Sequence, residues 1–220
     1  MRFQQKKALV LTDFDGTISR VDVGNSVLER FSQRGWEAVD REVGKGSLGS
    51  QEAYKKIAPM VRVGAGRLRA HVLKHAAIDP FFVRFCRLAG KRGVDVKIVS
   101  DGLDFYIRAI LDKHRLGDME FYSNRIVFGR EEAVAFEFPQ ANALCGRCGT
   151  CKNKILHDHR LMYEKIIYVG DGLSDICPSQ CADLIFAKGE LLRKCERGSA
   201  VPYRPFRDFR EVSEYLKKNV

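Results

Sequence analysis

The chain has 220 residues, of which 45% are hydrophobic and 30% are charged, and its formal net charge is +10. This length and hydrophobic content support a full core, which excludes a disordered chain. No segment approaches the roughly 20 continuous apolar residues that a membrane-spanning helix requires. The excess of basic residues is spread along the chain without a long Lys/Arg run, so we expect no nucleic-acid partner and no membrane partner.

The amino terminus carries Lys6 and Lys7 ahead of an apolar segment that Asp13 and Asp15 interrupt. A secretory signal peptide has a longer, uninterrupted apolar region. We therefore expect a cytoplasmic protein, in which the seven cysteines need not form a disulfide scaffold.

Short apolar runs that end in acidic residues and glycine are typical of buried parallel strands. Four segments follow this plan: residues 6–12, 94–100, 165–169 and 183–187. Three helical patterns accompany them, at residues 81–89, 103–114 and 154–163. This alternation predicts an α/β fold with a doubly wound parallel sheet.

Residues 19–79 interrupt the alternation after the first strand. They contain four helical patterns separated by glycine-containing turns, at residues 25–33, 36–43, 53–61 and 68–77. The sequence therefore predicts a helical insertion. Further along, residues 124–128 and 133–138 predict a β-hairpin.

Acidic and hydroxyl side chains follow three of the predicted strands, in the segments Asp13-Phe14-Asp15-Gly16-Thr17, Ser100-Asp101-Gly102 and Gly170-Asp171-Gly172-Leu173-Ser174-Asp175. Ligands bind at the carboxyl ends of parallel strands, so these side chains should converge. In the first segment, one carboxylate can attack phosphorus and bind a divalent cation, while the other passes a proton to the leaving oxygen. Taken singly, each segment could instead be an ordinary turn or helix cap.

Together with a Lys before a helix, these segments resemble the four ordered motifs of the haloacid dehalogenase phosphatases. The resemblance implies a Rossmann-like core and Mg²⁺-dependent hydrolysis of a small phosphomonoester through an aspartyl-phosphate. Asp13 would be the nucleophile and a metal ligand. Asp15 would be the general acid and base, with its backbone carbonyl on Mg²⁺, and Asp171 would complete the metal ligands. Asp175 would orient the metal-bound water or the loop.

The resemblance also assigns the phosphate contacts. Ser100 would bind the phosphoryl group, assisted by the backbone N–H groups of Asp101 and Gly102. The candidates for the lysine are Lys152 and Lys154, and we choose Lys152 because aliphatic residues follow it at the spacing of the family pattern.

The helical insertion is similar to the cap of the branch that includes phosphoserine phosphatase. This assigns residues 1–18 and 80–220 to the catalytic core and residues 19–79 to a small cap. Asp22 and Asn25 are candidate substrate contacts, although both could instead cap the first helix of the insertion. The neighbourhood of Asp22 departs from the phosphoserine phosphatase pattern, which weakens phosphoserine as a substrate.

The second half resembles the 2-hydroxy-3-keto-5-methylthiopentenyl-1-phosphate phosphatases of methionine salvage. The shared features are the Phe-Glu-Phe-Pro at residues 136–139, a Cys-rich stretch before Lys152, and Cys and Leu-Leu positions near the end. Alternatives are a phosphoserine phosphatase or related phosphotransferase. In another class, the chain could be a catalytically silent phosphate-ligand protein or bind nucleic-acid ends.

Cys145, Cys148 and Cys151 have a spacing that resembles a metal site, but a closed zinc site needs four ligands. Cys177, Cys181 or His157 could supply the fourth. The alternatives to structural Zn²⁺ are a redox-sensitive loop and ordinary packed thiols.

Overall fold

The computed structural model describes residues 5–220, so the first four residues of the predicted core lie outside the described part. Within residues 5–220, seven strands form one sheet: β1 Ala8–Thr12, β2 Val94–Leu103, β3 Phe121–Phe128, β4 Val134–Glu137, β5 Ile166–Gly170, β6 Leu184–Ala187 and β7 Tyr203–Pro205. Their order is β4-β3-β2-β1-β5-β6-β7. Neighbouring strands are parallel, except that β4 is antiparallel to β3. The predicted doubly wound parallel sheet is confirmed.

The same residues contain ten α-helices: α1 Val23–Phe31, α2 Trp36–Gly44, α3 Ser50–Ile57, α4 Ala65–His75, α5 Phe82–Lys91, α6 Asp104–Lys113, α7 Lys152–His159, α8 Ile176–Ser179, α9 Gly189–Glu196 and α10 Phe209–Asn219. Within this part of the chain, no helix has the length and apolar character needed to cross a membrane. The helix predicted at residues 53–61 ends at Ile57, and a 3₁₀ turn containing Pro59 follows it. The α-helix stops there because proline lacks the N–H that a further helical hydrogen bond requires.

The central strands are buried on both faces, which explains their nearly continuous apolar sequence. In β1, Val10 packs in one apolar cluster with α5 and α10, while Leu9 and Leu11 pack in another with Ile155 of α7. Helices therefore cover both sides of the sheet, and the carboxyl ends of β1, β2 and β5 meet at one edge.

The chain enters and leaves the helical segment α1–α4 at the same place. Ser19 and Ile78 are antiparallel bridge partners, and the N–H of Arg20 donates to the Ala77 carbonyl at 2.8 Å. On its far side, Val63 N–H donates to the Glu132 carbonyl at 2.9 Å. The segment is thus joined to the core at its base and at the turn before β4.

Candidate active site

Asp13 and Asp15 stand at the end of β1. The N–H of Asp13 donates to the Val169 carbonyl at 2.9 Å, which ties this end of β1 to β5. The Asp15 carboxylate accepts the Tyr106 hydroxyl at 2.5 Å and the N–H of Val23 at 2.9 Å. Asp15 is therefore held between α6 and the first helix of the insertion.

Lys152, the first residue of α7, is buried beside these carboxylates. Its Nζ lies 2.7 Å from Asp13 Oδ1 and 2.7 Å from Asp175 Oδ1. Burial opposes the charge, but the two carboxylates raise the pKa of Lys152 overall, so the ammonium group stays protonated. Lys154 is exposed and pairs with Asp158 at 2.7 Å. The structure therefore brings Lys152, and not Lys154, to Asp13.

Asp13, Asp171 and Asp175 have carboxylate oxygens within 4.8 Å of one another, the one such group of potential metal ligands among residues 5–220. Both carboxylate oxygens of Asp175 already accept hydrogen bonds from the protein. Its Oδ1 accepts from Lys152 and Tyr168, and its Oδ2 accepts the N–H groups of residues 171 and 172 at 3.0 Å. Asp175 thus shapes the loop, whereas Asp13 and Asp171 are the better candidates for direct contact with a cation.

These residues fit Mg²⁺. Carboxylate oxygens are the ligands that this hard cation prefers. Burial raises the pKa of both Asp13 and Asp171, with Asp175 adding to the effect. A divalent cation between them would offset the cost of burying two ionised carboxylates. Thr17 donates to Asp171 Oδ1 at 2.5 Å and so orients this side chain.

Residues 100–102 lie within β2 rather than in a loop after it, which corrects the predicted strand end at residue 100. The pairing of β2 with β3 is irregular between Val99 and Leu103, where the sequence Ser100-Asp101-Gly102 favours a turn. The buried Ser100 Oγ accepts the N–H of Gly102 at 3.0 Å. A Cβ on Gly102 would lie 1.8 Å from the Tyr106 hydroxyl, so this position accepts only glycine.

The Asp101 side chain is held by protein donors. Its Oδ1 accepts from the Asn124 side chain at 3.0 Å and from the Thr150 N–H at 2.9 Å. Its backbone carbonyl accepts the Tyr54 hydroxyl of α3 at 2.9 Å. None of these partners, nor Tyr106, could be predicted from the sequence, because their roles arise only when distant parts of the chain meet.

A cavity of about 370 Å³ opens over the cluster. Asp13, Asp15, Ser100, Lys152 and Asp171 line its floor. Its walls come largely from the insertion, with apolar and aromatic side chains of α1, α2 and α3, among them Val27, Leu28, Val43, Tyr54 and Ile57.

Both candidate substrate contacts line this cavity. Asp22 also accepts the N–H of Asn25 at 2.7 Å and caps α1. Capping and a position on the cavity wall therefore coexist, and contact with substrate stays a prediction.

The structure gives no support to the predicted zinc site. Cys145 is exposed, Cys148 is half-buried and Cys151 is buried. Across residues 5–220, their sulfur atoms belong to no group of three potential ligand atoms within 4.8 Å of one another. Burial raises the pKa of Cys148 to about 11, so this thiol stays protonated at neutral pH.

A family model described as Putative Phosphatase matches residues 8–189. The chain belongs to this phosphatase family. It is 27% identical over 215 residues to the bifunctional enzyme MtnB/MtnX of Bacillus licheniformis, covering 97% of this chain and 50% of that protein. It therefore spans about half the length of that relative. It is 26% identical to the 2-hydroxy-3-keto-5-methylthiopentenyl-1-phosphate phosphatase of Brevibacillus brevis, covering 97% of this chain and 96% of the relative.

Solved structures show the same fold. A phospho-aspartyl intermediate analogue of phosphoserine phosphatase has a TM-score of 0.71 at 21% identity, over 96% of this phosphatase and 99% of that chain. A haloacid dehalogenase family hydrolase of Salmonella enterica serovar Typhi has a TM-score of 0.74 at 16% identity, and the match covers 98% of this chain and 73% of that chain. These structures confirm the predicted fold, and the family model and the curated relatives confirm the predicted phosphatase family and activity.

Asp15→Asn should stabilise the metal-free phosphatase increasingly as the pH rises from 5 to 8. Burial, with the nearby Asp22 charge, raises the pKa of Asp15 from 3.8 to about 7. The folded state therefore binds the Asp15 proton more tightly than the unfolded state does. The stability that this proton contributes is lost as the pH rises from the unfolded-state pKa to the folded-state pKa. Between the two pKa values, each pH unit lowers the free energy of unfolding of the wild type by about 1.4 kcal/mol. The advantage of Asp15→Asn in free energy of unfolding should therefore grow by roughly 2 to 3 kcal/mol from pH 5 to 8.

The measurement is thermal denaturation of both proteins in chelator at each pH. A gain of this size corresponds to roughly 4 to 12 °C in the midpoint. A difference that is the same at pH 5 and pH 8 would contradict the raised pKa of Asp15.

Proposed function

We propose that this phosphatase uses Asp13 as a covalent nucleophile and Mg²⁺ as its cofactor, and that it acts on 2-hydroxy-3-keto-5-methylthiopentenyl-1-phosphate. The observation that carries the catalytic part is the Lys152–Asp13 pair, at 2.7 Å, on the floor of a cavity beside Asp171. The substrate is supported by the names of the relatives and by the character of the cavity walls.

The reaction has two steps on these residues. Asp13 attacks phosphorus and forms an aspartyl-phosphate, while Asp15 gives its proton to the leaving oxygen. Asp15 then accepts a proton from the water that hydrolyses the aspartyl-phosphate. Lys152 and Ser100 hold the phosphoryl oxygens throughout. Asp13 and Asp171, with the carbonyl of Asp15, would hold Mg²⁺, which when bound offsets negative charge on the phosphoryl group.

We further propose that residues 19–79 form a cap that selects the leaving group. The walls contributed by α1, α2 and α3 are mainly apolar, which suits a leaving group with an apolar methylthio end. Among the described residues that line the cavity, Lys152 is the one cation, and it is already paired with Asp13 and Asp175. The carboxylate of phosphoserine would therefore find no basic partner near Asp22 and Asp40.

The test is phosphate release from the methylthio keto compound, phosphoserine and an aryl phosphate, each with Mg²⁺ or with excess chelator. We expect release to fall at least about a hundredfold in chelator, because the cation offsets charge in the transition state. We expect kcat/KM for the methylthio compound to exceed that for phosphoserine at least about tenfold, a difference of about 1.4 kcal/mol in transition-state binding.

Equal turnover of all three compounds would remove the substrate assignment and leave the phosphatase mechanism intact. Full release in chelator, with the protein shown to be metal-free by elemental analysis, would overturn the Mg²⁺ assignment. Asp13→Asn serves as the blank in every assay.

A further inference from the structure

A ring of hydrogen bonds joins the buried residues Asn124 and Thr150 to the half-buried Asp101. Asn124 lies in β3 with 0% of its surface exposed. Its Nδ2 donates to the Asp101 carbonyl at 2.6 Å and to Asp101 Oδ1 at 3.0 Å, and its Oδ1 accepts the Thr150 hydroxyl at 3.1 Å. The N–H of Thr150 closes the ring by donating to Asp101 Oδ1 at 2.9 Å.

This ring connects two parts of the proposed phosphate site. Asp101 follows Ser100 directly, and Thr150 precedes Lys152 by two residues. The N–H of Lys152, the first residue of α7, donates to the Thr150 carbonyl at 3.0 Å, so the start of α7 is bonded directly to a member of the ring. Ser100 and Lys152 lie far apart in sequence, and the ring links their backbones through hydrogen bonds to Asp101.

We infer that Asn124 and Thr150 are positioning residues, which hold Ser100 and Lys152 at a fixed separation across the phosphoryl group. The inference rests on the proposed function for the roles of Ser100 and Lys152. Misplacement of such groups by a fraction of an ångström lowers the rate of the chemical step more than it lowers substrate affinity. A polar ring of this kind, with two of its three residues buried, is rigid because each member would lose its partner on moving.

The ring also contacts the helical insertion. The Tyr54 hydroxyl donates to the same Asp101 carbonyl, at 2.9 Å, and the N–H of Gly149 donates to Ser50 Oγ at 3.1 Å. A Cβ on Gly149 would lie 2.5 Å from Asn124 Oδ1, so the close approach of this loop to Asn124 requires glycine. The position of the insertion is therefore coupled to the same groups that fix Ser100 and Lys152.

The experiment compares Thr150→Val with Thr150→Ser. Valine has a similar shape but cannot donate to Asn124, whereas serine keeps the hydroxyl. With an aryl phosphate as substrate, we expect Thr150→Val to lower kcat roughly tenfold or more, with KM within about threefold of the wild type. Thr150→Ser should stay within about threefold of the wild type in both constants.

The matched control is Tyr163→Phe, which also removes a single hydroxyl from a buried residue. Tyr163 donates to Asp95 at 2.6 Å, and neither residue lines the cavity. Its kcat should not change. If Thr150→Val keeps the wild-type kcat while folded, or if Thr150→Ser loses as much as Thr150→Val, the positioning role is wrong.

Amide hydrogen exchange provides a second measurement that does not depend on turnover. In the wild type, the Thr150 N–H should exchange slowly although it lies outside any helix or strand, because it is bonded within the ring. In Thr150→Val, peptides covering residues 100–103 should exchange roughly tenfold faster. Rapid exchange of the Thr150 N–H in the wild type would show that the hydrogen bonds of the ring do not persist, and this result is independent of whether Thr150→Val folds. If the wild type hydrolyses no phosphomonoester, the proposed function fails and exchange still decides whether the ring holds these segments.

Discussion

Asp13→Asn should lower phosphate release from every substrate roughly 10⁴-fold or more, because an amide cannot form the covalent intermediate. The carboxylate stands at the end of β1, 2.7 Å from Lys152 Nζ, and no other proposed residue can replace it as the attacking group. The measurement is single-turnover phosphate release with Mg²⁺ and saturating substrate. Residual activity within tenfold of the wild type would contradict the nucleophile assignment.

The same variant should fold normally. Burial raises the pKa of Asp13 well above its ordinary value, so ionised Asp13 is costly in the metal-free fold and its replacement by an uncharged amide is tolerated. Lys152 keeps Asp175 as a partner at 2.7 Å. The thermal midpoint in chelator should therefore equal or exceed that of the wild type, which separates loss of chemistry from loss of structure.

Lys152→Met should lower both turnover and stability. Removal of one preorganised charge beside a developing oxyanion costs roughly 10² to 10³ in kcat. It also leaves Asp13 and Asp175 buried without their cation, and breaking a buried pair costs about 3 to 5 kcal/mol. The stability effect should be measured by urea denaturation, and the rate at a temperature where the variant is fully folded.

Lys154→Met is the matched control, since it makes the same substitution two residues further along α7. Lys154 is exposed and pairs with Asp158 four residues later, a surface contact worth about 0.3 to 0.5 kcal/mol. Turnover should stay at the wild-type value. If Lys154→Met lost activity and Lys152→Met retained it, the choice between the two lysines would be reversed.

The parts of the fold that could be predicted are those with strong local patterns. β1 and β5 are buried on both faces, so their apolar runs stand out, and the acidic residues that follow them mark the edge of the site. β7 escaped prediction because it is a three-residue exposed edge strand, Tyr203–Pro205, without an apolar run. The extension of β2 to Leu103 was missed because Asp101 and Gly102 favour turns elsewhere.

In the site too, the residues that could be predicted are those in recognisable local motifs. Family motifs placed Asp13, Asp171 and Lys152 correctly at one cluster, although their catalytic roles stay predictions. Asn124 and Thr150 carry no local signal, because a buried amide in a strand and a threonine in a loop acquire a partner only in three dimensions. The zinc site suggested by the cysteine spacing has no support in the structure, because the spacing of three thiols says nothing about how the loop will fold.

The antiparallel bridge between Ser19 and Ile78 has an evolutionary consequence. Since the chain departs from the sheet and returns to it at adjacent positions, changes of length inside the intervening segment need not alter the register of the strands. Under the proposed role of this segment as a cap, sequence changes in its cavity walls would alter which alcohol is released, provided that Val23 and Tyr54 keep their bonds to Asp15 and Asp101. Under the same proposal, we expect a chimera that receives residues 20–77 from a relative to take on that relative's substrate preference.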